Sequence, residues 1–234
     1  ISSAQIIIPS IIFSSFFLLL SAISLYRYNI VQIFHYDFGT FASIIWQLSQ
    51  GKIAVIDHIS LGRINFLGDH FNPSLTILSP LFWIIKDVRI LLLEQAFATT
   101  ASAFVIFLIA RRKKLKFLTP FIFSFVFLFF AGTVFPLVTD WHPEPTAGLF
   151  LLLFIYFFSY TKKKIITFIF AIIFLGFKES NALTLSFFLI SCLFICKQRR
   201  KEILFYLIGS FIWFFASIKI LIPHFSGREY FYTP

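Results

Sequence analysis

The chain has 234 residues, of which 59% are hydrophobic and only 13% charged, and it contains 37 Phe. A soluble domain of this length could not bury so much apolar surface, so the composition excludes a soluble globular protein and predicts an integral membrane protein in a lipid bilayer. The net charge of +10 would suit nucleic acid, but basic loops of a membrane protein produce the same excess. Because the basic residues are grouped between apolar runs, we expect no nucleic-acid partner.

The first apolar run covers residues 6–26 and carries no charge. At about 1.5 Å per residue, a helix of this length crosses the ~30 Å hydrocarbon core of a bilayer. A cleaved signal peptide is the alternative, but the run is long for one and lacks a convincing cleavage site. The chain begins with Ile, contains no Met and stops at Pro234 without an obvious ending. We therefore expect residues 1–234 to be a single transmembrane domain from the N-terminal part of a longer protein.

Residues 27–89 contain no apolar run long enough to cross a bilayer, and they are predicted to form a large first external loop. Apolar residues follow Asp37 at helical spacing, which predicts an amphipathic helix lying in the membrane interface. Residues 73–85 form a second apolar stretch, which Pro80 interrupts. It is too short to span, so we expect it to be interfacial or re-entrant. The residues that follow Asp37 at helical spacing are Phe38, Phe41, Ala42, Ile45 and Trp46.

Six further apolar runs follow the loop. The three in the middle are short, so either their polar ends are drawn to membrane depth or the bilayer thins around them. With the first run they make seven predicted spans, and the predicted fold class is an all-α polytopic transmembrane helix bundle. The six runs cover residues 91–110, 117–138, 146–160, 165–177, 181–196 and 203–222.

Basic residues indicate the orientation of this bundle. Residues 111–116, 162–164 and 197–201 hold 12 of the 20 Lys and Arg residues and lie between alternate pairs of spans. The positive-inside rule places these loops and the N-terminus in the cytoplasm, and the C-terminal tail outside. All five histidines and every acidic residue except Glu202 then fall on or near the outer side. We therefore expect any active surface to be extracytoplasmic.

Two polar motifs lie in the predicted first loop. Asp37 heads the first surface helix, where it can act as the N-cap, as a general base or as a metal ligand. A cap would also hold its side chain in place, so these roles are compatible. Asp69 and His70 precede Asn72 and Pro73, a turn signal, so they either stabilise a loop or line a site.

Two more polar motifs follow later in the chain. Asp140, His142 and Glu144 alternate in a Pro-containing segment, and an extended backbone would place all three on one side, as a site for a divalent cation requires. The alternative is that they are solvated loop charges. Lys178 and Glu179 separate two short apolar runs. Charges near membrane depth are costly and usually functional, although an internal ion pair that closes the hairpin is an equally good interpretation.

The order of these motifs resembles the DUF2079 family of prokaryotic membrane proteins over nearly the whole chain. Ser180 departs from the family, in which Lys-Glu-Asp is the commoner form of the last motif. The motifs that carry the resemblance are Tyr36-Asp37-Phe38-Gly39, His70-Phe71-Asn72-Pro73, Glu94-Gln95, Asp140-Trp141-His142-Pro143-Glu144 and Lys178-Glu179-Ser180.

That family in turn resembles the GT-C superfamily of polytopic glycosyltransferases. The resemblance implies a seven-helix module with two membrane-surface helices in a large first external loop. It also implies an essential acidic residue near the start of that loop, which would be Asp37. Phe38 stands where many of these enzymes carry a second acid.

The resemblance further implies transfer of a sugar from a polyprenyl-phosphate donor to an acceptor on the outer face of a prokaryotic inner (cell) membrane. Asp37 would be the general base, and Lys178 would stabilise the departing phosphate, with Arg228 or His224 in reserve. A divalent cation, Mg²⁺ or Mn²⁺, held by the motif that begins at Asp140 would serve instead of that basic side chain. The other residues expected to line the site are Asp69, His70 and Glu179.

Two other functional classes stay open at this point. In a transporter or lipid flippase, Glu94, Lys178 and Glu179 would line a substrate path near the membrane midplane. Against this, the chain shows no two halves with matching interruptions, and its polar groups gather towards one side. In a non-catalytic membrane protein, the same motifs would only stabilise loops.

Overall fold

A computed structural model describes residues 4–33 and 35–232, with the side chains of 7–33 and 36–232. It is mostly helical. The long helices coincide with the apolar runs, which confirms that those runs are helical. The helices are α1 Ala4–Asn29, α2 His35–Ser49, α3 Leu81–Ile84, α4 Arg89–Arg112, α5 Thr119–Phe129, α6 Ala131–Thr139, α7 Glu144–Tyr160, α8 Lys164–Leu175, α9 Asn181–Ile195, α10 Arg200–Ala216 and α11 Ile222–Ser226, with 3-10 turns at Phe66–Gly68, Pro73–Leu78 and Lys197–Arg199 and a π-helical turn at Ser217–Leu221.

Within the described residues, three helical stretches are long and apolar enough to cross a membrane: Ile7–Asn29, Arg89–Arg112 and Lys197–Ser226. A fourth is reached if α5 and α6, which meet at an angle of 46°, are counted as one broken span. The other apolar helices are shorter. These findings agree with a membrane location and support fewer spans by length alone than the seven that the sequence predicts.

The chain divides into two compact units. Unit 1 consists of residues 1–42 and 80–170. Helices α1, α5 and α7 all pack against α4. Small side chains such as Ala96, Ala103 and Ser102 are buried along α4 and allow neighbouring helices to approach closely, as is common in membrane bundles. The Ser124 hydroxyl on α5 donates to the Ala103 carbonyl across 2.9 Å, so a polar contact supplements this packing.

Unit 2 consists of residues 43–79 and 171–234. Here α9 packs against α10, and α11 packs against the 3-10 turn Phe66–Gly68. It also contains an antiparallel hairpin, β1 Val55–His58 and β2 Gly62–Asn65, in which Ile56 pairs with Ile64. The prediction of a helical fold is confirmed, and this short hairpin is an addition that the sequence did not predict. Strands of four residues have too few positions for an alternating pattern to stand out from the surrounding loop.

Candidate functional site

Asp37 lies in the first turn of α2 and is exposed. The helix begins at His35, two residues before Asp37, so the alternative in which Asp37 is the N-cap does not hold. The predicted amphipathic pattern is confirmed at Phe38, Ala42 and Ile45, which are buried, whereas Trp46 is exposed. A carboxylate in the first turn is stabilised by the positive end of the helix dipole. The local sequence therefore places a carboxylate, which can bind a cation or a proton, at a helix N-terminus just after the first candidate span.

Asp140 meets this turn from the segment that joins α6 to α7. Its backbone is extended, with φ −160° and ψ 176°, and its side chain is buried. The carboxylate accepts the Trp141 backbone N–H across 2.7 Å and a further hydrogen bond from the Phe38 backbone N–H. Asp140, rather than Asp37, thus satisfies a backbone donor in the first turn of α2.

The protonation of Asp140 reflects this position. Burial raises the pKa of its carboxyl above the ordinary value of 3.8, and the neighbouring Asp37 charge adds to the rise. The backbone N–H donors and His142 act in the opposite direction without cancelling it. Asp140 is therefore protonated more readily than an ordinary aspartate.

Asp37, Asp140 and His142 form the candidate site in unit 1. One ligand atom from each lies within 4.8 Å of the other two. His142 Nε2 is 3.8 Å from Asp140 Oδ2, and His142 Nδ1 is 3.7 Å from Glu144 Oε2. Glu144 is the first residue of α7, so it lies beside His142 rather than in the three-residue group. Two carboxylates and one imidazole are a suitable donor set for a divalent cation.

Aromatic and polar contacts surround this group. The Phe41 ring packs edge-on against Trp141 at a centroid distance of 5.5 Å and against His142 at 6.3 Å. The Trp141 indole N–H donates to Glu94 Oε2 across 3.2 Å, and the Thr146 hydroxyl donates to Glu94 Oε1 across 2.5 Å. Sequence reasoning assigned no site role to Trp141 or Thr146, because neither residue type signals a partner 47 or 52 residues away.

Glu179 is the centre of a second polar cluster, in unit 2. Its buried carboxylate lies 2.9 Å from His70 Nδ1 and accepts the Phe71 N–H across 3.1 Å and the Tyr230 hydroxyl across 2.8 Å. Burial alone would raise its pKa, but the hydrogen bond and charge of His70, with the Tyr230 bond, bring the pKa below the ordinary 4.5. The predicted site residues His70 and Glu179 therefore lie together.

Asp69 joins the same cluster through other partners. It accepts the Tyr232 hydroxyl across 2.7 Å and lies 3.7 Å from His58 Nε2. The Tyr232 ring stacks on His70 at 4.7 Å. His58 Nδ1 accepts two backbone N–H groups, from residues 60 and 61, so its structural role is to stabilise the hairpin turn. Tyr230 and Tyr232 were missed by sequence reasoning, since their partners are distant in the chain.

The remaining predicted residues also belong to unit 2. Lys178 is half-buried in the turn beside Glu179. His224 is exposed on α11, edge-on to Phe225, and Arg228 is exposed just after that helix, with its backbone N–H bonded to Ser226 Oγ. The structure thus groups the predicted residues as Asp37, Asp140 and His142 with Glu144 in unit 1, and as Asp69, His70 and Glu179 in unit 2.

Comparison with known proteins identifies the family of this chain. Residues 27–233 match a family model described as a predicted membrane protein, DUF2079. Searches of the curated proteins and of the solved structures found no match. The matched range includes every residue of both clusters and two of the three helices that are long and apolar enough to cross a membrane. The chain therefore belongs to the DUF2079 family of predicted membrane proteins.

Proposed function

We propose that this protein is a GT-C-type glycosyltransferase that moves a sugar from a polyprenyl-phosphate donor to a hydroxyl acceptor on the extracytoplasmic face of the prokaryotic cell membrane. The observation that carries the proposal is the position of Asp37. Its carboxylate heads α2 directly after the first candidate span, and Asp140 and His142 lie beside it. This is where the GT-C resemblance requires an essential acid.

The proposed architecture has seven spans. The three long helices supply three of them, and the broken pair α5 and α6 supplies a fourth. Helices α7, α8 and α9 are apolar but have only 12 to 17 residues, so they would cross with local thinning of the bilayer. Helix α2 and the apolar segment Pro73–Ile84 would be the two membrane-surface helices. The basic loops would then lie in the cytoplasm.

In the proposed reaction, Asp37 removes the proton of the acceptor hydroxyl as its oxygen bonds to the anomeric carbon of the sugar. The bond between that carbon and the lipid phosphate oxygen breaks, and the phosphate keeps the electron pair. A positioned general base contributes roughly 10²–10⁴ in rate. The growing charge on the phosphate needs a fixed cation.

A divalent cation fits the donor set of unit 1. Asp37, Asp140 and His142 would hold Mg²⁺ or Mn²⁺, with Glu144 beside His142. Such an ion would supply positive charge to offset that of the leaving phosphate. Asp37 has two carboxylate oxygens, so one can bind the ion while the other accepts a proton. Asp140 is buried, so its negative charge would face the ion and not the solvent.

The test is a transfer assay with the purified protein in liposomes that contain radiolabelled hexose linked to polyprenyl phosphate. Asp37→Asn should abolish release of the sugar to acceptor or water while membrane insertion and the melting temperature stay unchanged. Asp57→Asn removes an exposed carboxylate from the same predicted loop and should keep full activity. Transfer retained by Asp37→Asn would remove Asp37 from the mechanism. Movement of the intact donor across the bilayer without transfer would favour a flippase instead.

A further inference from the structure

We propose that Glu94 is a positioning residue, which holds Trp141 in place and thereby keeps Asp140 and His142 facing Asp37. The inference rests on the proposed function, because it concerns the same site. It adds a residue on α4 whose hydrogen bonds go to Trp141 and Thr146, outside the three-residue group.

The first argument comes from the contacts of Glu94. Each of its carboxylate oxygens accepts one hydrogen bond, Oε2 from the Trp141 indole N–H and Oε1 from the Thr146 hydroxyl. Trp141 precedes α7, and Thr146 lies in its first turn. One carboxylate on α4 therefore fixes the chain on both sides of His142.

The second argument comes from the backbone of the ligand segment. Asp140 is extended, and in extended chain the side chains of neighbouring residues point to opposite sides. Trp141 is completely buried. An indole held inwards by Glu94 therefore directs the side chains on either side of it, Asp140 and His142, the other way, towards Asp37.

The third argument concerns the cost of placing a carboxyl group at position 94. Glu94 is half-buried on a helix that is long and apolar enough to cross a membrane, where an ionisable group is costly. Among the described residues its two hydrogen bonds go to Trp141 and Thr146, and no basic side chain forms an ion pair with it. The two hydrogen bonds are contacts that an apolar side chain such as Leu could not make, so they distinguish a carboxyl group at this position.

The experiment measures Mn²⁺ affinity of the purified full chain in detergent, by electron paramagnetic resonance, together with Trp141 fluorescence. The optical measurement uses a background in which Trp46, Trp83 and Trp213 are replaced by Phe. Glu94→Leu should weaken Mn²⁺ binding about tenfold, the lower end of the loss when a group that orients a ligand is removed, and should shift the Trp141 emission.

Three further variants complete the design. Glu94→Gln should restore affinity, because the amide oxygen can accept the indole N–H while the amide nitrogen donates to the Thr146 hydroxyl. Trp141→Phe keeps an aromatic ring but removes the indole N–H, so it should weaken Mn²⁺ binding as Glu94→Leu does. It tests the same hydrogen bond if Glu94→Leu folds poorly. Gln95→Leu is the matched control. Gln95 is buried on the same helix, and within the described part of the chain its Nε2 has no hydrogen-bond partner, so affinity should not change.

The outcomes separate this inference from the proposed function. Unchanged Mn²⁺ affinity in Glu94→Leu and Trp141→Phe overturns the positioning role, and so does a wild-type protein that binds no Mn²⁺. A wild-type protein that binds Mn²⁺ and loses affinity in these variants, yet transfers no sugar, overturns the proposed function and supports the positioning role.

Discussion

The His70 imidazole lies 2.9 Å from the Glu179 carboxylate, although 109 residues separate the two in the chain. An ionised carboxylate can only accept hydrogen bonds, so Nδ1 of His70 is the donor. The Tyr230 hydroxyl donates to the same Glu179 oxygen, so the carboxylate joins three parts of unit 2.

Glu179→Gln should destabilise the protein by about 1–3 kcal/mol, because an amide cannot accept all three hydrogen bonds of the carboxylate. The pKa of Glu179 is lower in the folded state than its ordinary value of 4.5. Its stabilising effect is therefore complete above pH 4.5 and is lost as the pH falls through the folded pKa. Thermal unfolding in detergent between about pH 3 and 7 should show an acid-dependent loss that is smaller in Glu179→Gln. Glu229→Gln, at an exposed position, should keep the wild-type acid dependence; equal curves for all three proteins would contradict the prediction.

Asp140→Asn should weaken Mn²⁺ binding at least tenfold without lowering the melting temperature, because an Asn oxygen can still accept the Trp141 N–H. The pKa of Asp140 is raised above 3.8, so protons compete with the cation at a higher pH than at an ordinary aspartate. As the pH is lowered, the Mn²⁺ affinity of the wild type should therefore begin to fall while the pH is still above 3.8. Glu144→Gln should cost less affinity, since Glu144 lies outside the three-residue group. A larger loss in Glu144→Gln than in Asp37→Asn would favour the ligand set Asp140, His142 and Glu144.

Val31→Gly should stabilise the protein by about 1 kcal/mol, since a left-handed conformation costs roughly 1–2 kcal/mol for a residue with a side chain. Val31 follows α1 and has φ 58°. Its N–H donates to the Tyr28 carbonyl, and the Gln32 N–H donates to the Arg27 carbonyl. This pattern is a Schellman motif, in which glycine is the usual residue. Lys114, with φ 54°, offers the matched change Lys114→Gly, which should stabilise less because Lys is not β-branched. A lower melting temperature for Val31→Gly would show that the Val31 side chain contributes packing that outweighs the strain.

Gly68→Ala should destabilise the protein by about 1–3 kcal/mol, as overpacking usually does. A Cβ atom at this position would lie 2.7 Å from the Ser226 backbone nitrogen and 2.9 Å from the Phe225 carbonyl carbon, and backbone atoms cannot move aside cheaply. Gly209→Ala is the control, because a Cβ there meets nothing within 4 Å inside α10. It should raise stability by about 0.5–1 kcal/mol through helix propensity. Thermal unfolding of both variants checks the prediction, and similar melting temperatures would contradict it.

Much of the candidate site could be named from the sequence, but not its grouping. Asp37, Asp140 and His142 were each predicted, yet Glu144 was expected among the ligands, and capping of α2 by Asp37 was an open alternative. The structure places Asp140 at the first turn of α2 and Glu144 at the start of α7. The contacts of Glu94 with Trp141 and of Asp69 with Tyr232 had no sequence signal, because buried pairs distant in the chain leave no local periodicity.

The amino-acid sequence by itself determined that this is a membrane protein and where its helices run, because apolar runs and helical spacing are local properties of the chain. It did not reveal the hairpin at Val55–Asn65, whose strands are too short to show a pattern. Only the tertiary structure decided which polar side chains meet. Asp37 contacts the Asp140 segment, and His70 contacts Glu179, because helix packing within each unit brings distant segments together, and that packing depends on the shapes of many side chains at once.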